Sequence, residues 1–255
     1  MDLAQRLAPF QLDAAPPDEE LPDYEAQTPP IYDGEEFETP ILNYHLRQVN
    51  RKLQILVPFG PIANTSYHII SHASFRLFSK KPDMEIVRLS RGQYIQESIA
   101  SVRFNNDGPL PWRPRASFTH TDSEGTNTYS TESKNFTDWT VEIGGITYVW
   151  RLEVRPVSLV LSEKSSSIAV ARFTYSICGT LARNGAEVGE LTVYRDGLTE
   201  DREGIEKIVC GLLVALVHFK RMGRHYWNDA SVRADSLSRA HLPSHSVFSA
   251  SSSTL

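Results

Sequence analysis

The residues that could bind a metal ion are few in this sequence, and their spacing is unfavourable. His68 and His72 are four positions apart in a stretch of β pattern, where that spacing separates them by about 13 Å. Two side chains that far apart cannot share a metal ion. The segment 105–108, NNDG, resembles part of a calcium loop, yet Arg103 occupies the first ligand position and no glutamate closes it. We interpret this segment as a turn and predict no metal site.

The other candidates for acid–base chemistry have simpler structural explanations. His218 lies in an apolar helical pattern, which favours a hydrogen-bonded core histidine near the helix end over a pocket residue. Asp196, Glu200 and Asp201 precede the same helix, where acidic side chains complement the helix dipole. The sequence contains no GxGxxG, GxxxxGK[ST], HExxH or GxSxG motif. We therefore predict a protein that is not an enzyme and uses no cofactor.

The cysteines and the first residues bear on the cellular compartment. Cys178 and Cys210 are too few for a zinc site or a disulfide framework, and their apolar surroundings predict two buried thiols. The N-terminal stretch MDLAQRLAPFQLD lacks the basic start and the continuous apolar segment of a signal peptide. We expect a cytoplasmic protein, with peripheral attachment to a membrane left open.

Composition divides the chain into an acidic arm, a globular body and a serine-rich tail. Residues 1–38 carry eleven acidic side chains and one base, Arg6, whereas residues 39–255 carry 25 bases and 20 acids. The arm is rich in proline and acid without an apolar period, so it cannot bury enough surface to fold. We predict a disordered arm over 1–38, a folded domain over 39–227 and a disordered tail with nine serines over 228–255.

Alternation of apolar and polar residues dominates the folded domain. In the run 146–154, ITYVWRLEV, every second residue is apolar, and Gly144-Gly145 before it favours a two-residue hairpin turn. A second hairpin is predicted around Asn184-Gly185, between strands at 168–178 and 188–194. The count of strands approaches a dozen, which predicts a closed antiparallel barrel or a sandwich. The shorter runs are 41–49, 51–57, 67–71, 74–79, 84–90, 93–104 and 157–162, with one or two weaker runs in 116–131.

One helix is predicted, from about Asp201 to about Met222. Its central run 208–219, IVCGLLVALVHF, is apolar on every side, which is typical of a helix buried in protein or lipid. Twelve helical residues cover roughly 18 Å, whereas a bilayer core is about 30 Å thick. The run therefore predicts a core helix that fills a barrel of about twelve strands. Gly211 and Ala215 would let a wall strand approach it closely.

Three segments resemble fungal proteins of the tubby C-terminal-like superfamily, which also contains the plant LURP-one-related proteins and the phospholipid scramblases. They are TPILNYHLRQVNRKLQILVPFG (39–60), SFRLFSKKPDMEIVR (74–88) and EGIEKIVCGLLVALVHFKR (203–221). The resemblance covers roughly residues 39–227. It implies a twelve-stranded barrel around a C-terminal hydrophobic helix, but a shared fold does not define a single function.

The same resemblance raises lipid binding as an alternative function. Tubby proteins bind phosphoinositides through a cluster of lysines and arginines, and the nearest candidate here is Arg76, Lys80 and Lys81. A solvated basic turn is the competing interpretation. The cysteine cluster and calcium-binding segment of scramblases are not visible, which disfavours lipid scrambling. A lipid cavity beside the helix is a second alternative, and no nucleic-acid partner is expected.

The arm carries two motifs that WW domains recognise. One is PPIY at 29–32, a PPxY motif, and the other is its LPxY variant, LPDY at 21–24. Proline holds the backbone in polyproline II, so little entropy is lost on docking into an aromatic groove, and the tyrosine anchors the register. We predict a non-enzymatic adaptor that recruits a WW-domain protein such as a HECT-type ubiquitin ligase. The predicted contacts are Pro29, Pro30, Tyr32, Leu21, Pro22 and Tyr24.

Overall fold

The computed structural model describes residues 39–59, 65–72, 81–90, 96–105, 114–123, 125–133 and 136–229. These residues form twelve β-strands followed by one α-helix. The strands are β1 (Pro40–Gln48), β2 (Leu53–Phe59), β3 (Thr65–Ser71), β4 (Met84–Ser90), β5 (Gln96–Asn105), β6 (Arg115–Asp122), β7 (Gly125–Ser133), β8 (Trp139–Ile143), β9 (Ile146–Val154), β10 (Val157–Glu163), β11 (Ala169–Tyr175) and β12 (Ala186–Tyr194), and the helix is α1 (Arg202–Arg221).

The strands form a closed antiparallel barrel. Each strand pairs with the next along the chain, and β1 pairs with β12, so that Pro40 lies opposite Tyr194. The predicted barrel of about twelve strands is confirmed, and the sandwich alternative is excluded. Because the last strand pairs with the first, every strand has a hydrogen-bonded neighbour on both sides.

The alternating strand directions give the barrel two distinct ends. The β1–β2, β3–β4, β5–β6, β7–β8, β9–β10 and β11–β12 connections lie at one end, and the other connections lie at the opposite end. Since α1 follows β12, it enters the barrel at the second end and leaves at the first. We name these the helix-exit end and the helix-entry end.

The helix fills the barrel, as predicted from its apolar run. Residues 208–216 are all buried, with Asp201 as the N-cap residue and Met222 as the C-cap residue. A Cβ atom on Gly211 would lie 2.9 Å from Nε1 of Trp150, so a larger residue there would require a shift of the Trp150 side chain or of the helix. The structure therefore has a close contact at Gly211, and it is made by the side chain of a β9 residue rather than by the backbone of a wall strand.

The two predicted hairpins differ in detail. Gly144 and Gly145 have φ angles of 60° and 80°, which is the backbone expected for a two-residue turn. The second connection is longer than predicted, because β11 ends at Tyr175 and a 3-10 helix (Gly179–Leu181) precedes the turn at Asn184. Cys178 lies in this connection at the barrel rim and is exposed, so the prediction that it is buried is wrong.

Candidate functional site

A cleft of about 390 Å³ opens at the helix-exit end of the barrel. Its volume lies within the usual range for pockets that bind small molecules. The β1–β2 turn contributes two of its cations, and the last turn of α1 contributes two more, while the two ends of the β3–β4 connection add an imidazole and a carboxylate. These six residues are Arg51, Lys52, Lys220, Arg221, His72 and Asp83.

The cleft carries an excess of positive charge. Arg221 is held by its surroundings, with Nη2 at 3.8 Å from Oδ1 of Asp83 and the guanidinium carbon 4.0 Å from the ring centroid of Phe104. Burial lowers the pKa of Arg221, although Asp83 opposes that shift. Among the residues that the structure describes, Arg51 and Lys52 have no carboxylate within 4.0 Å, and neither does Lys220. Such a cleft can hold an anion with several oxygen acceptors.

The cleft was not predicted from the sequence, because its cations come from separate parts of the chain. Arg51-Lys52 is a basic pair in a turn, and Lys220-Arg221 fits the negative end of a helix dipole. Neither pair alone indicates a site. The order of the strands in the barrel brings the pairs to the same end.

The residues predicted from sequence lie partly outside the described chain. Of the three lipid-headgroup candidates, Lys81 is described and exposed just before β4, at the same end as the cleft, whereas Arg76 and Lys80 fall outside the described residues. The WW-binding candidates also lie outside them. The roles of the lipid-headgroup candidates and of the WW-binding candidates remain predictions. The WW-binding candidates are Pro29, Pro30, Tyr32, Leu21, Pro22 and Tyr24.

A second cluster of charged residues is buried near the helix-entry end. Its centre is Glu206 in α1, whose side chain is 0% exposed. Arg88 donates from Nη1 to Oε1 of Glu206 at 2.9 Å, and the hydroxyl of Tyr67 donates to the same oxygen at 3.3 Å. Nε2 of His120 lies 2.9 Å from the other carboxylate oxygen, Oε2. The cluster therefore connects the helix with strands β3, β4 and β6.

The surroundings of Glu206 favour its ionised form. Burial acts to raise the pKa of Glu206, but hydrogen bonds from His120 and Arg88, together with their charges, outweigh burial and lower the pKa. Arg88 also lies 2.5 Å from a second carboxylate, that of Glu97. A carboxylate beside an imidazole is a familiar acid–base pair, but the side chains of Glu206 and His120 are fully buried, so no substrate atom reaches them. The arrangement therefore acts as an internal ion network in this structure.

His218 lies between aromatic rings near the end of α1. Its ring stacks on Trp139 with a centroid distance of 4.3 Å and meets Phe104 edge-on at 4.8 Å. The residue is buried as expected, but its Nε2 has no hydrogen-bond partner in the described part of the protein, so the prediction of a hydrogen-bonded histidine is not met at that atom. Burial lowers the pKa of His218 to about 4, and the ring is therefore neutral at pH 7.

Within the described ranges, no group of three or more His, Cys, Asp or Glu side chains is arranged to hold a metal ion. The helix found in those ranges is not long and apolar enough to cross a membrane. Comparisons of the chain with protein-family models, curated proteins and solved structures found no match.

Proposed function

We propose that this protein is a non-enzymatic adaptor whose barrel is a binding body and whose N-terminal arm recruits a WW-domain protein, such as a HECT-type ubiquitin ligase. The observation that supports it is the pair of motifs PPIY (29–32) and LPDY (21–24) in one acidic, proline-rich segment. Two sites on one chain can engage tandem WW domains with an effective concentration in the millimolar range. Membership of the tubby C-terminal-like superfamily is part of this proposal and rests on the resemblance of the three segments.

Recruitment of a ubiquitin ligase would place modification on the barrel. The arm contains no lysine, so the acceptor lysines would have to lie in residues 39–255. Lys52 and Lys81 are both exposed at the helix-exit end. Lys80, the neighbour of Lys81 in sequence, is a third candidate outside the described residues.

Titration of a peptide spanning residues 15–40 into a tandem WW module tests the recruitment directly. Tyr32→Ala should weaken binding by about tenfold or more, because the tyrosine fills a pocket and fixes the register of the bound peptide. Tyr24→Ala should cause a smaller loss. Ile31→Ala is the matched control, since the third position of PPxY carries no specificity, and its affinity should stay unchanged. A wild-type peptide that shows no saturable binding would refute the adaptor proposal.

The basic cleft favours a second function, recognition of phosphoinositide head groups at a membrane surface. Four cations surround a cleft of about 390 Å³ that contains one carboxylate, that of Asp83. One guanidinium group can donate two parallel hydrogen bonds to the oxygens of a phosphate, and an ammonium group adds a compact positive charge. Lys81, which the resemblance suggests as a headgroup contact, is exposed at the same end of the barrel.

Calorimetric titration with soluble inositol trisphosphate tests this second function. The double variant Arg51→Glu/Lys52→Glu should weaken binding by about a hundredfold, because two attractive charges become repulsive. Lys164→Glu is the control, since this exposed lysine lies in the β10–β11 connection at the helix-entry end. Equal affinity of the double variant and the control, or no binding by the wild type, would exclude the cleft as a headgroup site.

A further inference from the structure

Large apolar side chains are exposed in three neighbouring segments at the helix-exit end. Val154 ends β9 and is 72% exposed, and Ile177 and Leu181 in the β11–β12 connection are 54% and 53% exposed. Trp227, in the segment after α1, is 50% exposed. Single exposed apolar residues are common in proteins, so the four matter only if they share one surface.

Asn228 ties these three segments together. Its backbone N donates to the carbonyl of Ser176 at 3.1 Å, and its Nδ2 donates to the carbonyls of Tyr175 and Val157, both at 2.9 Å. Its Oδ1 accepts from the backbone N of Val157 at 2.7 Å. The buried amide of Asn228 therefore fixes Trp227 beside the start of the β11–β12 connection and beside the β9–β10 turn, which Val154 precedes.

Gly179 makes the second close contact between the segments. A Cβ atom there would lie 1.9 Å from the carbonyl oxygen of Tyr226 and 2.9 Å from Cα of Trp227. The backbone N of Thr180 donates to that same carbonyl at 3.0 Å. Leu181 is thus held near Trp227 by backbone contacts. We name the four exposed residues, Val154, Ile177, Leu181 and Trp227, the tip patch; the contacts of Asn228, Gly179 and Thr180 fix the segments that carry them, which limits the entropy lost on binding.

The tip patch lies at the more basic end of the barrel. In the described residues, the connections at the helix-exit end, the final two helix positions and the segment after the helix together contain eight Lys and Arg but three acids, Asp83, Asp138 and Asp229. At the helix-entry end, the described parts of the connections and the first two helix positions contain three bases and four acids. Two of the exit-end arginines, Arg155 and Arg183, lie in the β9–β10 and β11–β12 connections themselves. The eight bases are Arg51, Lys52, Lys81, Arg155, Arg183, Lys220, Arg221 and Arg224.

We propose that the tip patch inserts into the interface of an anionic bilayer while the surrounding cations contact the lipid head groups. Tryptophan prefers the membrane–water interface, because its ring is apolar and its N–H group is polar. Stable peripheral attachment requires two signals, and here apolar insertion is combined with a basic surface. The cations come from four of the six connections at this end and from the end of the helix, an arrangement that matches a plane of negative charge better than a local acidic patch on a protein. This inference extends the second proposed function without requiring a specific head group.

Vesicle sedimentation of the full-length protein tests the proposal with vesicles of phosphatidylcholine alone and with added phosphatidylserine. Binding should require phosphatidylserine, and Trp227→Ser/Leu181→Ser should weaken it by about tenfold or more, because two inserted side chains are lost. Ile146→Ser is the matched control, since Ile146 is 43% exposed at the helix-entry end, and it should bind like the wild type. Equal melting temperatures would establish that the double variant remains folded.

A fluorescent label can report insertion at the patch itself. Cys178 is exposed next to Ile177, and the only other cysteine, Cys210, is buried, so an environment-sensitive maleimide probe will react at Cys178. Its emission should rise and shift to the blue with phosphatidylserine vesicles. The proposal would be overturned if the wild type did not bind the vesicles. It would also be overturned if the protein bound them with no change of emission and with no effect of Trp227→Ser/Leu181→Ser.

The same vesicles separate this proposal from headgroup recognition in the cleft, because they contain no phosphoinositide. If the wild type binds them but does not bind inositol trisphosphate, the tip patch is supported and the cleft function fails. If it binds inositol trisphosphate but not these vesicles, the cleft function stands and membrane insertion by the tip patch is refuted.

Discussion

Replacing Leu213 by aspartate is expected to unfold the barrel. Leu213 lies in the middle of α1 and is 1% exposed, so the new carboxylate would have neither water nor a cation beside it. An isolated charge in an apolar interior costs several kcal/mol or more, which is comparable with the 5–15 kcal/mol that stabilises a typical domain. Circular dichroism and the soluble yield should both report loss of the fold.

Leu213→Met provides the control for this substitution. Methionine has about the same volume and no charge, so the free energy of unfolding should fall by less than about 1.5 kcal/mol. If Leu213→Asp is soluble and melts at the wild-type temperature, the helix does not form the core of this barrel.

Removal of the Glu206 carboxylate should be the next most damaging change. Glu206→Leu leaves Arg88 and His120 without the buried acceptor between them, and breaking a buried ion pair in this way typically costs about 3–5 kcal/mol. The destabilisation should lie near the lower end of this range, because Glu97 still pairs with Arg88. Urea denaturation measures the loss. Glu200→Gln, an exposed carboxylate before the helix, is the control and should change stability by less than about 0.5 kcal/mol.

Two further measurements separate the ion network from a simple packing effect. Arg88→Met/Glu206→Leu should be more stable than Glu206→Leu alone, because the double variant buries no unpaired charge. Folding lowers the pKa of Glu206 below its ordinary value of 4.5. The ionised carboxylate therefore contributes fully to the free energy of unfolding above pH 4.5, and this contribution is lost as the pH falls below that value. The stability gap between wild type and Glu206→Leu should therefore narrow in acid. A gap that is constant from pH 7 to pH 3 would contradict the ionised network.

The features that the sequence predicted well are those encoded over short distances. The apolar run of α1, its flanking charges and the glycine pair of the β8–β9 turn are each contained within about twenty residues. Alternation predicted most of the strands for a similar reason, whereas the strand predicted at 74–79 lies outside the described residues. Cys178 was misjudged because an apolar strand pattern continues past Tyr175, whereas the chain leaves the sheet there for the rim of the barrel.

The features that the sequence did not predict depend on the register of the barrel. Glu206 looks like an ordinary acid in the early part of a helix, and its partners Arg88 and His120 are 118 and 86 residues away. One signal was available: Glu206 lies one turn before Cys210 on a helix that is buried on all sides, and a charge there must have a partner. The cleft and the tip patch likewise arise where distant connections meet at one end of the barrel.

Because β1 closes on β12, this barrel can be completed only after its last strand has been synthesised. The wall begins at Pro40, its closing partner ends at Tyr194, and the helix that fills it ends at Arg221. At a synthesis rate of 5–20 residues per second, the first strand therefore waits on the order of ten to forty seconds for the element that covers its apolar face. During that interval the nascent chain has open strand edges and no core, and non-local pairing of this kind is intrinsically slow. This is the stage at which a chaperone bound to the emerging strands would protect them from aggregation.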